Sequence, residues 1–334
     1  MIHYLVFASL AFLVAGSPDC TVTPKTIAEI RNERITGSLA VAESEARQLL
    51  ECPDLKGGHR LALQIELAKT LDRVGLHHNT RPVVESLEIL RKAEAGVGAN
   101  DTAAQAAIEL ALAEYFYRSE MSERQFTTAF EHARRAQRLF RELDDSVGET
   151  DAVHRLGLIE LQKGNFQEAR ELFDLSLELS RDGPHRPIFL SDYHRHIGFV
   201  DRAAGDHVEA IRHFERSLEY RNEAGSKDYG LFARTMLGIA LIDADRPAEA
   251  KPYLVQAVEI AHALSSPVGE LRATYALGKL HEALGDVPEA LRSYREADEL
   301  ATELGVASIQ KAAQDGVARL TVTNRGKSSA DQTS

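Results

Sequence analysis

The stretch Leu156–Leu177, LGLIELQKGNFQEARELFDLSL, recurs three more times without a gap. Ile197–Leu218 reads IGFVDRAAGDHVEAIRHFERSL, Leu237–Val258 reads LGIALIDADRPAEAKPYLVQAV, and Leu277–Asp298 reads LGKLHEALGDVPEALRSYREAD. The period is about 40 residues, the mark of a stacked array whose units bury their apolar faces against neighbours. Each copy divides into two helices around a turn at Gly164, Gly205, Asp245 or Gly285. Gly157, Gly198, Gly238 and Gly278 fall inside the first helix, where glycine costs up to about 1 kcal/mol. That cost is tolerable where a partner helix must approach closely. Ala169, Ala210, Ala250 and Ala290 supply the matching small surface on the second helix. Four residues on, Phe173, Phe214, Leu254 and Tyr294 lie on the same face and fill the space beside the crossing.

On these Leu-Gly, turn-glycine, alanine and aromatic positions the chain resembles tetratricopeptide repeats. The spacing is similar to the long-helix variant of kinesin light chains and bacterial sensory regulators. The resemblance implies an all-α protein, a right-handed α-α superhelix of about seven helix pairs with a C-terminal capping helix. Four well-formed units occupy residues 149–304, and degenerate helical hairpins occupy 17–148. The weaker units centre on Leu112, Ala113 and Ala129, on Leu67, Ala68, Gly75 and Leu90, and on Gly37, Ala42 and Ala46. Residues 305–321 read as the capping helix. Residues 322–334 are polar and aperiodic and read as a disordered tail.

The N-terminus, MIHYLVFASLAFLVAGSPDC, carries an apolar or small-residue run from Tyr4 to Ala15. It is shorter than the roughly 20 residues of a membrane span, and its length suits the core of a signal peptide. Val14 and Gly16 fit cleavage after Gly16, which makes residues 1–16 a signal peptide and the mature chain periplasmic or secreted, with no stable membrane span. An uncleaved N-terminal anchor is the alternative, because the segment starts without Lys or Arg. Cys20 and Cys52 are the two cysteines. They flank a predicted helical hairpin at ends that meet in an antiparallel pair, so a disulfide between them fits an oxidising compartment.

Composition narrows the function. A chain of 334 residues with 44% hydrophobic and 27% charged residues has ample material for a core. A net charge of −12 lacks the basic footprint of a nucleic-acid binder. His194, His196, His207 and His213 crowd one repeat, but the first two lie two apart, on nearly opposite sides of a helix. A helical zinc pair wants a spacing of three or four. His207 falls where the family often has an aromatic residue between helices, and His213 sits beside Phe214, away from the first pair. A structural role is expected for all four, with no metal and no cofactor. His-Glu-x-x-His and Gly-x-Ser-x-Gly are both missing from the sequence, and no catalytic constellation assembles, so no enzyme is expected.

What is left is surface. The resemblance implies that the second, fifth, ninth and twelfth positions of each first helix line a concave groove. Those positions are Asp151, His154, Leu158 and Leu161; Asp192, Arg195, Phe199 and Arg202; Phe232, Thr235, Ile239 and Ile242; and Arg272, Tyr275, Lys279 and Glu282. An apolar strip of Phe199, Phe232, Ile239 and Tyr275 would run beside Arg195, Arg202, Arg272 and Lys279. That suits an extended peptide or protein segment with a carboxylate or two; packing of the aromatics against neighbouring helices is the alternative. The asparagine that a co-chaperone carboxylate clamp needs at the ninth position is replaced by Leu158, Phe199, Ile239 and Lys279. The implied function is a non-enzymatic binding scaffold. A ligand-sensing module acting through a separate partner is the second possibility. The sequence sets no oligomeric state.

Overall fold

The computed structural model describes residues 22–36, 38–78, 84–119, 123–180 and 186–331. Among these there are fifteen helices and no strand. The first three pairs are α1 (Pro24–Thr36) with α2 (Leu39–Leu50), α3 (Gly57–His78) with α4 (Val84–Ala95), and α5 (Thr102–Ser119) with α6 (Glu123–Glu142). The four repeats of the sequence follow as α7 (Ser146–Lys163) with α8 (Phe166–Leu179), α9 (Arg186–Ala204) with α10 (His207–Glu223), α11 (Lys227–Asp243) with α12 (Pro247–Ala263), and α13 (Pro267–Ala283) with α14 (Val287–Leu304). Helix α15 (Ala307–Asp331) closes the series. The seven pairs stack as a right-handed α-α superhelix.

Local chemistry starts and stops these helices where the repeat requires. Asp145, Asp206 and Asp286 each accept a hydrogen bond from the backbone N–H three residues on, capping α7, α10 and α14. Proline stands in the first turn of α12, α13 and α14, where the missing N–H has no intrahelical partner to lose. The turn between the helices of a pair needs one residue in the left-handed region. Gly164, Gly205 and Gly285 provide it at φ 81°, 83° and 76°, and in the third unit Asp245 adopts φ 59°.

The helices of a pair are held by an aromatic or branched side chain lying on the glycine of its partner. A Cβ at Gly157, Gly198, Gly238 or Gly278 would lie 3.0 Å or closer to Phe173, Phe214, Leu254 or Tyr294 respectively. The large residue thus covers the glycine itself, where the sequence placed it beside the crossing. Ala169, Ala210, Ala250 and Ala290 are fully buried under the same contact. Tyr294 has a second glycine on its other face, Gly316 of α15, so the capping helix uses the same device as the repeats. That helix runs on to Asp331, ten residues past the end read from sequence. The segment after Leu320 holds no proline to stop it, and polarity alone does not end a helix.

First helices of successive pairs touch one another: α3 meets α5, α5 meets α7, α7 meets α9, and α11 meets α13. They form the inner wall. The superhelix also closes on itself, because α3 reaches α13. The Nδ1 of His77 lies 2.7 Å from Ser266 Oγ, and Ser226 Oγ donates to the carbonyl of Ile35 at 2.9 Å. Ser226 and Ser266 are the N-cap residues of α11 and α13, so equivalent points of two repeats hold the N-terminal helices. Cys52 is buried and disulfide-bonded; Cys20, the other cysteine of the sequence, lies outside the described residues, as does the signal segment 1–16. No helix among the described residues is long and apolar enough to cross a membrane.

Candidate functional site

The inner wall is charged, and its charges are ordered. Glu66 of α3 accepts from Arg31 Nε at 2.8 Å and from Arg34 Nε at 3.0 Å, both from α1. Glu114 of α5 pairs with Arg118 at 3.1 Å and with Arg155 of α7 at 3.3 Å. Asp192 of α9 pairs with Arg195 at 3.0 Å and with the buried Arg221 of α10. At the last turn of α11, Asp243 takes Arg202 of α9 at 2.6 Å and Lys279 of α13 at 3.1 Å. Each carboxylate is therefore held between two cations, and each such group keeps a net positive charge.

These clamps set the protonation states. Burial alone would raise Glu66, but Arg34, Lys69 and Arg31 hold it at about 2. Burial also opposes ionisation of Glu114 and Asp192. Arg155 and Arg118 outweigh it for the first and Arg221 and Arg195 for the second, so both lie below the usual carboxylate range. All three are ionised at neutral pH.

Lys69, Asp151 and Arg272 of the inner wall stand outside this scheme. Asp151 of α7 has no hydrogen bond or ion pair among the described residues, and burial pushes its carboxyl up, with Lys69 and Arg155 opposing and Glu114 assisting. Arg272 of α13 also has neither, and burial alone lowers its guanidinium. Both side chains still reach solvent. Between them in the repeat register stands Phe232 of α11, half-buried, its ring 6.0 Å from that of His77.

The second position of the repeat thus faces the lumen, and the fifth and ninth mostly do not. His154 and Leu158 are buried between units, which corrects their assignment to the groove. Phe199 packs edge-on against Phe214 at 5.4 Å, Ile239 joins the same core, and Tyr275 lies 5.8 Å from Tyr294, so the expected apolar strip is largely spent on neighbouring helices. Arg195, Arg202 and Lys279 are engaged by Asp192 and Asp243. Of the second-position residues read from sequence as groove-lining, Asp151 and Arg272 are exposed and Phe232 is half-buried. Sequence reasoning missed Arg31, Arg34, Glu66, Lys69 and His77 on the opposite wall; the close spacing of Arg31 and Arg34 was the available signal.

The histidines form two contacts. His194 and His196 do point apart: His196 Nδ1 lies 2.9 Å from His154 Nε2 of the preceding unit, and His194 Nδ1 lies 2.8 Å from His213 Nδ1. The second contact corrects the expectation that His213 stands away from the first pair; the α9–α10 crossing brings the two rings together. Burial pushes His154 down to about 3, His194 to about 4, and lowers His196 and His213. Neutral imidazoles can each give one N–H and take one, which is what these pairs require. No group of three metal-ligating side chains comes together among the described residues.

With fold and inner wall in view, comparison with known proteins is direct. The chain is similar in fold to a Rap protein complexed with competence and sporulation factor, at 10% identity and a TM-score of 0.54, over 90% of this chain and 97% of that one. It is also similar to the apo quorum sensor NprR from B. thuringiensis, at 15% identity and 0.54, over 89% and 86%. A third is aspartyl phosphate phosphatase F from Bacillus subtilis, at 12% and 0.52, over 92% and 95%. At these identities the likeness is one of fold. No curated protein matches the sequence. Two family models, each described as tetratricopeptide repeat, match residues 190–263 in one case and 118–184 and 235–303 in the other. Repeat glycines, covering side chains and matched segments coincide, and the chain belongs to the tetratricopeptide repeat family.

Proposed function

We propose that this protein is a non-enzymatic binding scaffold that holds an extended peptide or protein segment inside its superhelix, in the cell envelope or outside the cell. The observation that carries the reading is the inner wall, where exposed Asp151 and Arg272 and half-buried Phe232 share the second repeat position on successive first helices. The disulfide-bonded Cys52 supports an oxidising compartment and, with the apolar N-terminal segment, export.

A second reading, a ligand-sensing module that works through a separate partner, is favoured by the closure of α3 on α13. A molecule in the lumen would touch both sides of that closure and bias it. The fold is shared with a protein described as a quorum sensor and with one complexed with a competence and sporulation factor, and it accommodates such a role.

The two readings share one test. The full chain is offered a pool of random-sequence peptides, and retention is compared for wild type, Phe232→Ala in the lumen, and Val208→Ala on the exposed start of α10. Retention that falls about tenfold with the first and stays with the second supports binding in the lumen. Equal retention by both variants, or saturable binding only of small metabolites, counts against it.

A further inference from the structure

The second helices of the four repeats share a register, so each serves as a control for the others. Where α8, α10 and α14 place Glu171, Arg212 and Arg292, α12 places Pro252. Where they place Asp174, Glu215 and Arg295, it places Val255. All of these side chains are exposed. Pro252 stands inside the helix, beyond its first turn, and has no N–H to give to the carbonyl of Ala248. Neither residue is needed for stacking, since the other three units share the framework without them. With Ala248, Lys251, Gln256 and Glu259 they line a shallow, open hollow of about 540 Å³ on the outer surface.

We infer that this face of α12 docks on the same face of a second copy of the chain, as an antiparallel pair about a two-fold axis beside Val255. The pairing uses the outer helices and is independent of what the lumen holds.

The charges select the occupant. Lys251, Val255 and Glu259 stand four residues apart, so they form one ridge of the helix with the apolar side chain at its midpoint. Neither Lys251 nor Glu259 has an ion pair among the described residues. Neighbouring exposed arginines are spent within their own helices, Arg212 on Glu209, Arg216 on Glu219 and Arg292 on Glu289. Laying the ridge along its own antiparallel copy, at a crossing near roughly −50°, sets each Lys251 beside the Glu259 of the other copy. Two ion pairs then flank Val255 and Pro252. A parallel pair sets like charges side by side. The same patch on both subunits is what a closed two-fold contact requires.

Net charge makes the same choice. Each chain carries −12, so two copies repel over most of their surface. On this face one cation and one anion cancel, which leaves a neutral window with an apolar centre and a polar rim. A single helix crossing covers less than the roughly 800 Å² per partner of a standard interface. The dimer is therefore weak, with a Kd of about 10–100 μM, and it leaves both inner walls uncovered.

The experiment is sedimentation velocity on the full chain between about 1 and 300 μM, for wild type, Lys251→Glu, Glu259→Lys, the double reversal and Val255→Asp. Wild type should pass from monomer to dimer across this range. Each single reversal sets like charges together at both pairs and should raise the Kd about tenfold. The double reversal recreates both pairs with signs exchanged and should return to within about threefold of wild type. Val255→Asp should leave a monomer. The substituted side chains are exposed, so melting temperatures should match wild type. A wild type that stays monomeric throughout, or a dimer that the single reversals leave intact or the double reversal fails to restore, overturns this contact; the scaffold reading is untouched by either result.

Discussion

The Nε2 of His154 lies 2.9 Å from the Nδ1 of His196, joining two successive repeats through a pair of buried imidazoles flanked by the ring of Phe173. The contact requires at least one neutral ring to accept, and it is lost when both are protonated. Burial, then the nearby Arg155 and Arg195, disfavour protonation, and Asp192 only partly offsets them.

Acid should therefore weaken the fold well above the carboxylate range. The folded pKa values of these histidines are depressed below an unfolded value near 6.5, so the unfolded chain binds protons that the folded chain refuses. Stability is full above about pH 6.5 and declines as pH falls toward the folded value, about 3 for His154. Each histidine contributes at most about 1.4 kcal/mol per pH unit in that window. Denaturant titrations between pH 7.5 and 5, as rough limits of the window, should show this loss, and a His154→Leu/His196→Leu variant should show a shallower slope. A slope unchanged by that double substitution would contradict the account.

Filling the glycine seats should damage the array. Gly278→Ala drives a methyl into Tyr294, and overpacking of this kind costs about 1–3 kcal/mol. Gly58→Ala in α3 meets nothing within 4 Å and should be neutral or slightly stabilising. Thermal denaturation of the two variants gives the comparison.

Removing one member of a carboxylate clamp should cost more than removing a surface pair. Asp192→Asn withdraws the carboxylate from Arg221, whose side chain is 2% exposed, and an uncompensated buried charge costs about 3–5 kcal/mol. The exposed pair of Arg246 with Glu249 provides the contrast: Glu249→Gln should leave the melting temperature nearly unchanged.

The closure of the superhelix should be separable from its stacking. Ser226→Ala removes the hydrogen bond to Ile35, and Ser266→Ala removes that to His77 together with the cap on the Gly269 N–H of α13, each bond worth about 1 kcal/mol. Hydrogen exchange should quicken in α1 and α3 while the α9–α10 and α11–α12 pairs keep their protection.

The repeating half of this fold was legible because its determinants are local and recur: the Leu-Gly pair, the left-handed turn residue, and the alanine with its large neighbour four residues on. Seven helix pairs and a cap followed from counting such units. The lumen was less legible. Leu158 and Phe199 occupy equivalent repeat positions, yet one is buried between units and the other packs on Phe214, because each interface is filled by whichever side chains its two neighbours supply. The opposite wall, with Arg31, Arg34 and Glu66, depends on contacts 35 and 32 residues apart, and the closure at His77 on one 189 residues apart. A period read along the chain carries no information about where its ends meet. The His194–His213 contact was missed for a related reason, since helical spacing fixes which way a ring points and the crossing decides what it meets.

The most direct measurement is a crystal structure of the full chain with the best-retained peptide of the random pool. The account predicts an extended chain inside the superhelix, in contact with Phe232 on the inner helices. A peptide bound on the outer helices, away from Phe232, would contradict it.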